Sequence, residues 1–73
     1  MDEETIDLRG LRCPLNWARA KVWLEARASG SSAVLWIDDP KGVRDIPAAA
    51  EAEGRSVLQV DAFAGGWKIV IVV

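Results

Sequence analysis

The thiol of Cys13 is the only side chain in this sequence with the strength of an ordinary nucleophile. The 73 residues contain one cysteine and no histidine. An internal disulfide, the usual zinc ligand sets, the Ser-His-Asp triad and the Cys-His pair of thiol proteases are therefore excluded. Any chemistry must use Cys13, carboxylates, basic side chains or backbone amides, and we expect neither a metal nor a cofactor.

The sequence around Cys13 favours its reactive form. Pro14 opens a segment of mostly good helix formers, which predicts a helix over 14–28 with Cys13 as its N-cap residue. Unpaired amides and the positive end of a helix dipole lie at such a position, and Arg9 and Arg12 are close in sequence. All of these favour the thiolate, which is the nucleophile. The alternative is that Cys13 is a small buried residue with a packing role.

Two faces of the predicted first helix are apolar, and the bulkier one is expected to pack on a sheet. That face comprises Trp17, Ala20, Leu24 and Ala28. On the remaining side, Arg19, Trp23 and Arg27 are expected to face solvent or a partner.

The other elements follow from apolar runs and turn residues. Asp45-Ile46-Pro47 predicts the start of a short second helix that ends before Gly54, and Gly65-Gly66 predicts a hairpin. Strands are predicted over 5–8, 33–37, 57–63 and 67–73. The order β-α-β-α-β-β indicates an α/β (α+β) two-layer sandwich, with two helices on one face of a four-stranded mixed sheet. We expect residues 1–73 to form a single domain.

The charge balance and hydropathy exclude several classes of partner. The formal net charge is −2 and no basic cluster is present, so direct nucleic-acid binding is disfavoured. No apolar run approaches the ~20 residues that span a bilayer, and the acidic first residues do not resemble a secretory leader. A cytoplasmic location is expected, where a lone thiol stays reduced.

Several short motifs occur in a characteristic order along nearly the whole chain. They are Asp7-Leu8-Arg9-Gly10-Leu11-Arg12-Cys13-Pro14, Gly30 at the end of a helix, Asp38-Asp39-Pro40 after a strand, and Arg44-Asp45-Ile46-Pro47. Together they resemble the TusA-like (SirA-like) sulfurtransferase family. The resemblance implies that Cys13 receives sulfane sulfur as a persulfide and passes it to another protein. It also implies a sulfur donor, such as a cysteine desulfurase or a rhodanese-like protein, and a downstream protein acceptor. Members of this family serve 2-thiouridine synthesis in transfer RNA, molybdenum cofactor assembly or sulfur oxidation.

The residues of these motifs and of the solvent-facing side of the first helix have expected roles. Cys13 would be the catalytic residue. Residues expected to support the thiolate or complete the motif are Arg9, Gly10, Arg12, Pro14 and Asn16. Residues expected to dock partners are Arg19, Trp23, Asp38, Asp39, Arg44 and Asp45. The three aspartates are better explained by turn and N-cap roles than by a magnesium site.

Asn16 departs from the family motif Cys-Pro-x-Pro, since it stands where the second proline is expected. With Cys13 as N-cap residue, Asn16 is at position N3, whose backbone N–H is a donor that an N-cap side chain accepts. One hypothesis is that Asn16 stabilises the Cys13 thiolate. The alternative is that Asn16 only begins the helix.

One face of the predicted sheet is unusually apolar. If the family register holds, Ala33, Leu35, Ile37, Trp67, Ile69 and Ile71 face the helices. The opposite face then carries Val34, Trp36, Val70 and Val72, and weak self-association or a partner is predicted there. The alternatives are ordinary scattered surface hydrophobics, or a register shifted by one residue that exchanges the faces.

Two functions remain after these arguments. A sulfurtransferase that acts as a persulfide relay fits the residues, because thiol exchange needs only a thiolate that attacks sulfur and another that leaves. The competing function is a non-catalytic interaction or regulatory module in which Cys13 is structural. The accessibility and reactivity of Cys13 distinguish them.

Overall fold

Residues 4–73, the part of the chain that this computed structural model describes, contain four strands and two helices in the order β-α-β-α-β-β. Their bounds are β1 Glu4–Asp7, α1 Leu15–Glu25, β2 Ser32–Ile37, α2 Pro40–Ala52, β3 Ser56–Phe63 and β4 Gly66–Val72. Residues 1–3, on which the expected absence of a secretory leader depends, lie outside this range.

The strands form one mixed sheet in the order β1-β2-β4-β3. Strand β1 is parallel to β2, which it reaches through α1, whereas β4 is antiparallel to both β2 and β3. The hairpin between β3 and β4 turns at Gly65, whose φ of 94° is accessible to glycine and costly for other residues. The predicted fold class is confirmed.

The core lies between the sheet and the two helices, as the apolar pattern predicts. Leu35 pairs with Ile69 across β2 and β4, and both side chains are fully buried. Helix α1 contributes Ala20 and Leu24 to this layer, and Trp17 packs partly buried against it. The predicted inner faces of the sheet and of α1 are therefore confirmed, except that Ala28 lies beyond the helix and is exposed.

The register places the four predicted outer residues on the face away from the helices, where the apolar surface is smaller than expected. Val34 and Val70, which pair with each other, are only 4% and 7% exposed. Beside them the Trp36 and Phe63 rings meet edge to face, with centroids 5.0 Å apart, and the Lys68 ammonium lies 5.9 Å from the Trp36 centroid. Self-association through this face stays a prediction.

Helix α1 is shorter than predicted at both ends. Its N-cap residue is Pro14 and not Cys13, because the carbonyl of Pro14 accepts the first intrahelical bond, from the Ala18 N–H at 3.0 Å. At the other end, the N–H groups of Ala26 and Arg27 bond to carbonyls three residues back, and this tighter turn ends the helix. Cys13 therefore precedes the helix and does not cap it.

Helix α2 begins five residues earlier than predicted. Asp39 has an extended backbone and caps the helix, since its side chain accepts the Lys41 N–H at 3.1 Å, and Pro40 occupies the first helical turn. Pro47, which the sequence places at a helix start, lies inside the helix. The helix continues through it because Ile46 and Ala50 are buried on one face.

Candidate functional site

Cys13 lies in the segment between β1 and α1, where the start of α1 meets the start of α2. Its backbone N–H donates to Asp39 Oδ2 at 2.7 Å. Its Sγ lies 3.8 Å from Asp45 Oδ2, within the distance at which a thiol donates weakly to a carboxylate. The residue is partly exposed. The backbone of Cys13 is thus fixed by α2, while its sulfur lies near the surface.

The Asp39 carboxylate joins three segments at this site. It accepts the N–H of Cys13 and caps α2 through Lys41, and it also accepts the Nδ2 of Asn16 at 3.4 Å. The Cys13 bond is the main cause that lowers the pKa of Asp39; the Lys41 N–H, the Arg12 charge and the Asn16 amide add to it, and desolvation opposes it. Asp39 is consequently ionised at neutral pH.

The basic residues near Cys13 in sequence act on carboxylates and not on the sulfur. Arg9 pairs with Asp7 through two bonds of 2.9 Å, which lower the Asp7 pKa to about 2. The positive charge of Arg12 helps to lower the pKa of Asp39. The thiolate-supporting roles of Arg9 and Arg12 therefore stay predictions, with no bond to the sulfur among those found in residues 4–73.

A hydrogen bond between Gly10 and Asp38 links the segment before Cys13 to the segment before α2. Gly10 has a φ of 90°, and its N–H donates to Asp38 Oδ1 at 3.0 Å. Both residues line a cavity of about 230 Å³ whose walls are Gly10, Leu11, Arg12, Asp38, Asp39 and Pro40. The Asp-Asp-Pro segment therefore lines a cavity with the three residues that precede Cys13.

The hypothesis that the Asn16 N–H bonds to the Cys13 side chain is wrong. The Asn16 N–H donates instead to the Arg12 carbonyl at 3.1 Å, because the helix starts one residue later than predicted. The Asn16 side chain is fully buried, and its Oδ1 accepts the Trp17 N–H at 2.7 Å. Asn16 contacts the site through Asp39 and not through the sulfur.

Asp45 and Arg44 set the charge nearest the thiol. Asp45 lies 3.8 Å from Sγ, so a Cys13 thiolate faces a like charge at short range. Arg44 Nε lies 3.7 Å from Asp45 Oδ1 and partly offsets that charge. No group of three or more metal-ligating side chains is found in residues 4–73. The arrangement supplies a thiol, a carboxylate that accepts a weak hydrogen bond from it, and a nearby cation.

The two docking residues predicted on α1 differ in exposure. Arg19 is exposed and lines a shallow cavity of about 310 Å³ with Leu11, Leu15 and Ala18. Trp23 is partly buried against the core, and the Arg27 guanidinium lies 4.7 Å from its ring centroid. Arg19 is thus available to a partner, whereas Trp23 has a structural contact of its own.

Two features of the site are missing from the sequence predictions: the bond between Asp39 and Cys13, and the space that Gly42 provides. The bond of Asp39 to Cys13 joins residues 26 positions apart, which no local pattern indicates. Gly42 gives space to Asn16, because a Cβ there would lie 2.7 Å from Asn16 Nδ2. Asp39-Pro40 is itself an N-cap signal and was available to locate the start of α2.

Neither helix in the described part of the chain is long and apolar enough to cross a membrane.

Comparisons with known proteins agree with this fold and these motifs. The family profile described as sulfurtransferase TusA matches residues 4–73. A protein of Archaeoglobus fulgidus, named provisionally as a sulfur carrier protein, is 40% identical over 58 residues, which are 80% of this chain and 66% of that protein, just under two thirds. The sulfur carrier protein TusA of Allochromatium vinosum is 35% identical over 57 residues, which are 78% of this chain and 75% of that protein.

A solved structure shares the fold over almost its full length. The crystal structure of a SirA-like protein from Desulfitobacterium hafniense has a TM-score of 0.78 and 26% identity, and the match covers 94% of this chain and 95% of that one. The order of the motifs, the architecture and the family match lead to the same conclusion. The chain belongs to the sulfurtransferase TusA family.

Proposed function

We propose that this protein is a sulfur carrier that accepts sulfane sulfur on Cys13 as a persulfide and passes it to an acceptor protein. The observation that carries the proposal is the environment of Cys13: its backbone is held by Asp39 at 2.7 Å, while the residue is partly exposed. A thiol presented in this way is open to a sulfur-bearing partner on one side. The family match and the relatives named as sulfur carriers support the same role.

The proposed reaction is thiol exchange at sulfur. The Cys13 thiolate attacks the terminal sulfur of a donor persulfide, a new S–S bond forms on Cys13, and the donor's S–S bond breaks. The electron pair of the broken bond leaves with the donor thiolate. In the second half, an acceptor thiolate attacks the outer sulfur of the Cys13 persulfide and releases Cys13. Asp45 Oδ2, 3.8 Å from Sγ, accepts a weak hydrogen bond from the Cys13 thiol; the proton that Cys13 loses on forming the thiolate is taken up through solvent by the donor thiolate that leaves.

The partners follow from this chemistry. A cysteine desulfurase or a rhodanese-like protein would supply the sulfur, and a protein with a reactive thiol would receive it. Exposed Arg19 and the Arg44–Asp45 pair are the proposed docking residues around Cys13. The acceptor would lead to transfer RNA thiolation, molybdenum cofactor assembly or sulfur oxidation. The cytoplasm is the proposed compartment, since the reduced thiol persists there.

Sulfur loading tests the proposal. The protein is incubated with a cysteine desulfurase and cysteine, and the intact mass is then measured without reductant. We expect a gain of one sulfur atom that dithiothreitol removes and that Cys13→Ser lacks. The matched control is Val22→Ser, an exposed position on α1 that should load like the native protein. No gain with either a desulfurase or a rhodanese-like donor, together with slow alkylation of Cys13, would support the non-catalytic interaction module instead.

A further inference from the structure

Asn16 is the polar residue that residues 4–73 bury completely, within a core otherwise made of apolar side chains. A buried amide is costly unless its donor and acceptor are both used. Here Oδ1 accepts the Trp17 N–H at 2.7 Å and Nδ2 donates to Asp39 Oδ2 at 3.4 Å. The amide therefore connects the first turn of α1 to the cap of α2.

The oxygen that Asn16 contacts is the one that holds Cys13. Asp39 Oδ2 accepts both Asn16 Nδ2 and the Cys13 N–H, while Asp39 Oδ1 accepts the Lys41 N–H. Rotation of this carboxylate would break the bond to Cys13. The Asn16 amide opposes that rotation because it binds the same oxygen from the core side.

The first turn of α2 is shaped to accept this amide. Gly42 is buried, and a Cβ at this position would lie 2.7 Å from Asn16 Nδ2 and 3.3 Å from Ile37 Cδ1. A side chain at position 42 would therefore push the amide away from Asp39. The glycine at position 42 and the asparagine at position 16 fit each other.

We propose that Asn16 is a positioning residue for Cys13: its buried amide fixes the Asp39 carboxylate, which in turn fixes the backbone that presents the thiol. The proposal rests on the proposed function, because the direction of the thiol matters for exchange with a large sulfur-bearing partner. Proline, expected at this position from the family motif, has no side-chain amide and no N–H. This chain thus positions its cysteine by bonds that a proline at position 16 would not form.

The first test compares the Cys13 amide with the rest of the protein. Amide hydrogen exchange is measured by NMR in the native protein and in Asn16→Ala, with the Leu24 amide in the core of α1 as the reference. We expect exchange at Cys13 to accelerate about tenfold beyond the change at Leu24, as for the loss of a buried bond. An equal acceleration at both amides would mean that Asn16 acts on overall stability only, and would overturn the proposal.

Asn16→Asp keeps the shape of the side chain and makes protection of the Cys13 amide depend on pH, which a role in packing alone would not do. Asn16→Asp places a second carboxylate against Asp39, and one of the two then takes up a proton as the pH falls. The protonated acid can donate to Asp39 as the amide does. We expect the Cys13 amide to exchange fast at neutral pH and to regain protection on acidification to pH ~5. The same protection at both pH values would contradict the proposal.

Gly42→Ala keeps Asn16 and tests the same contact from the other side. The added methyl group meets Nδ2, so the Cys13 amide should again lose protection relative to Leu24. If Asn16→Ala is too unstable to study, this variant and the acid-dependent variant decide the question. Native protection at Cys13 in Gly42→Ala would contradict the proposed arrangement.

Sulfur loading separates this inference from the proposed function. In Asn16→Ala we expect loading from the desulfurase to slow about tenfold or more, since small misplacements of reacting groups cost this much. Alkylation by iodoacetamide, which approaches freely, should change less. If the native protein takes no sulfur, the proposed function fails. If it loads and Asn16→Ala loads equally fast, the positioning role alone fails.

Discussion

Removing the negative charge beside the thiol should make Cys13 more reactive. Asp45 Oδ2 lies 3.8 Å from Sγ, and the Asp45 side chain is 51% exposed, so the interaction is largely screened by water. With a water-like dielectric constant of about 80, two unit charges at this distance repel by about 1 kcal/mol. Asp45→Asn relieves that repulsion in the thiolate, which corresponds to about fivefold faster alkylation at neutral pH.

The assay is the second-order rate of Cys13 alkylation by iodoacetamide at pH 7, followed by intact mass. Added salt should accelerate the native protein more than Asp45→Asn, because the repulsion is screened. Two matched variants test the sign of the effect. Arg44→Gln removes the cation 3.7 Å from Asp45 and should slow alkylation, whereas Asp38→Asn should change it little because Asp38 bonds to Gly10.

A slower rate in Asp45→Asn would refute this electrostatic argument. It would mean that Asp45 assists the reaction mainly by accepting the thiol proton, and that this assistance outweighs the repulsion. An unchanged rate would place Asp45 too far from the reacting sulfur in solution to act in either way.

Three further predictions concern stability. Because the pKa of Asp39 is lowered in the folded protein, the free energy of unfolding should fall as the pH drops from the ordinary value of 3.8 toward the lowered one. Urea unfolding at both ends of this range measures the fall. Asp39→Asn should lack the portion of this fall that protonation of Asp39 causes. Leu24→Ala should cost about 2–5 kcal/mol by urea unfolding and Val22→Ala less than about 0.5 kcal/mol, because only Leu24 is buried. Gly66→Ala should lower the melting temperature more than Gly54→Ala, since a Cβ at Gly66 would lie 2.2 Å from a backbone oxygen of β2, while alanine at Gly54 has open space and only the strain of its φ of 87°. A reversed order in either pair would contradict the packing described above.

The fold could be predicted from the sequence because β2 and β4 are nearly continuous apolar runs that turn residues bound. The predicted bounds of β2, for example, differ from Ser32–Ile37 by one residue. Helix α2 was harder, because Pro47 resembles a helix start and the burial of Ile46 and Ala50 is a tertiary effect. Packing of that face allowed the helix to continue through the proline.

The site could be predicted only in part. The thiol and its place at the start of a helix follow from local sequence, and the importance of the Asp-Asp-Pro segment follows from the family resemblance. The charges that contact Cys13 do not, since Asp39 and Asp45 are 26 and 32 positions away. Sequence proximity suggested Arg9 as a support for the thiolate, yet Arg9 pairs with Asp7. Contacts across the helix starts, and not neighbours along the chain, determine the charge around the sulfur.

Transfer of one sulfur atom through Cys13 is the central claim, and a single-turnover experiment with labelled sulfur tests it most directly. The protein is loaded from a desulfurase with sulfur-labelled cysteine, separated from the donor, and mixed with an acceptor protein that has a reactive thiol. We predict that label leaves Cys13 and appears on the acceptor thiol in equal amount, and that Cys13→Ser never carries it. Label that enters no thiol of this chain, or that stays on Cys13 in the presence of acceptors from all three sulfur pathways, would contradict the account.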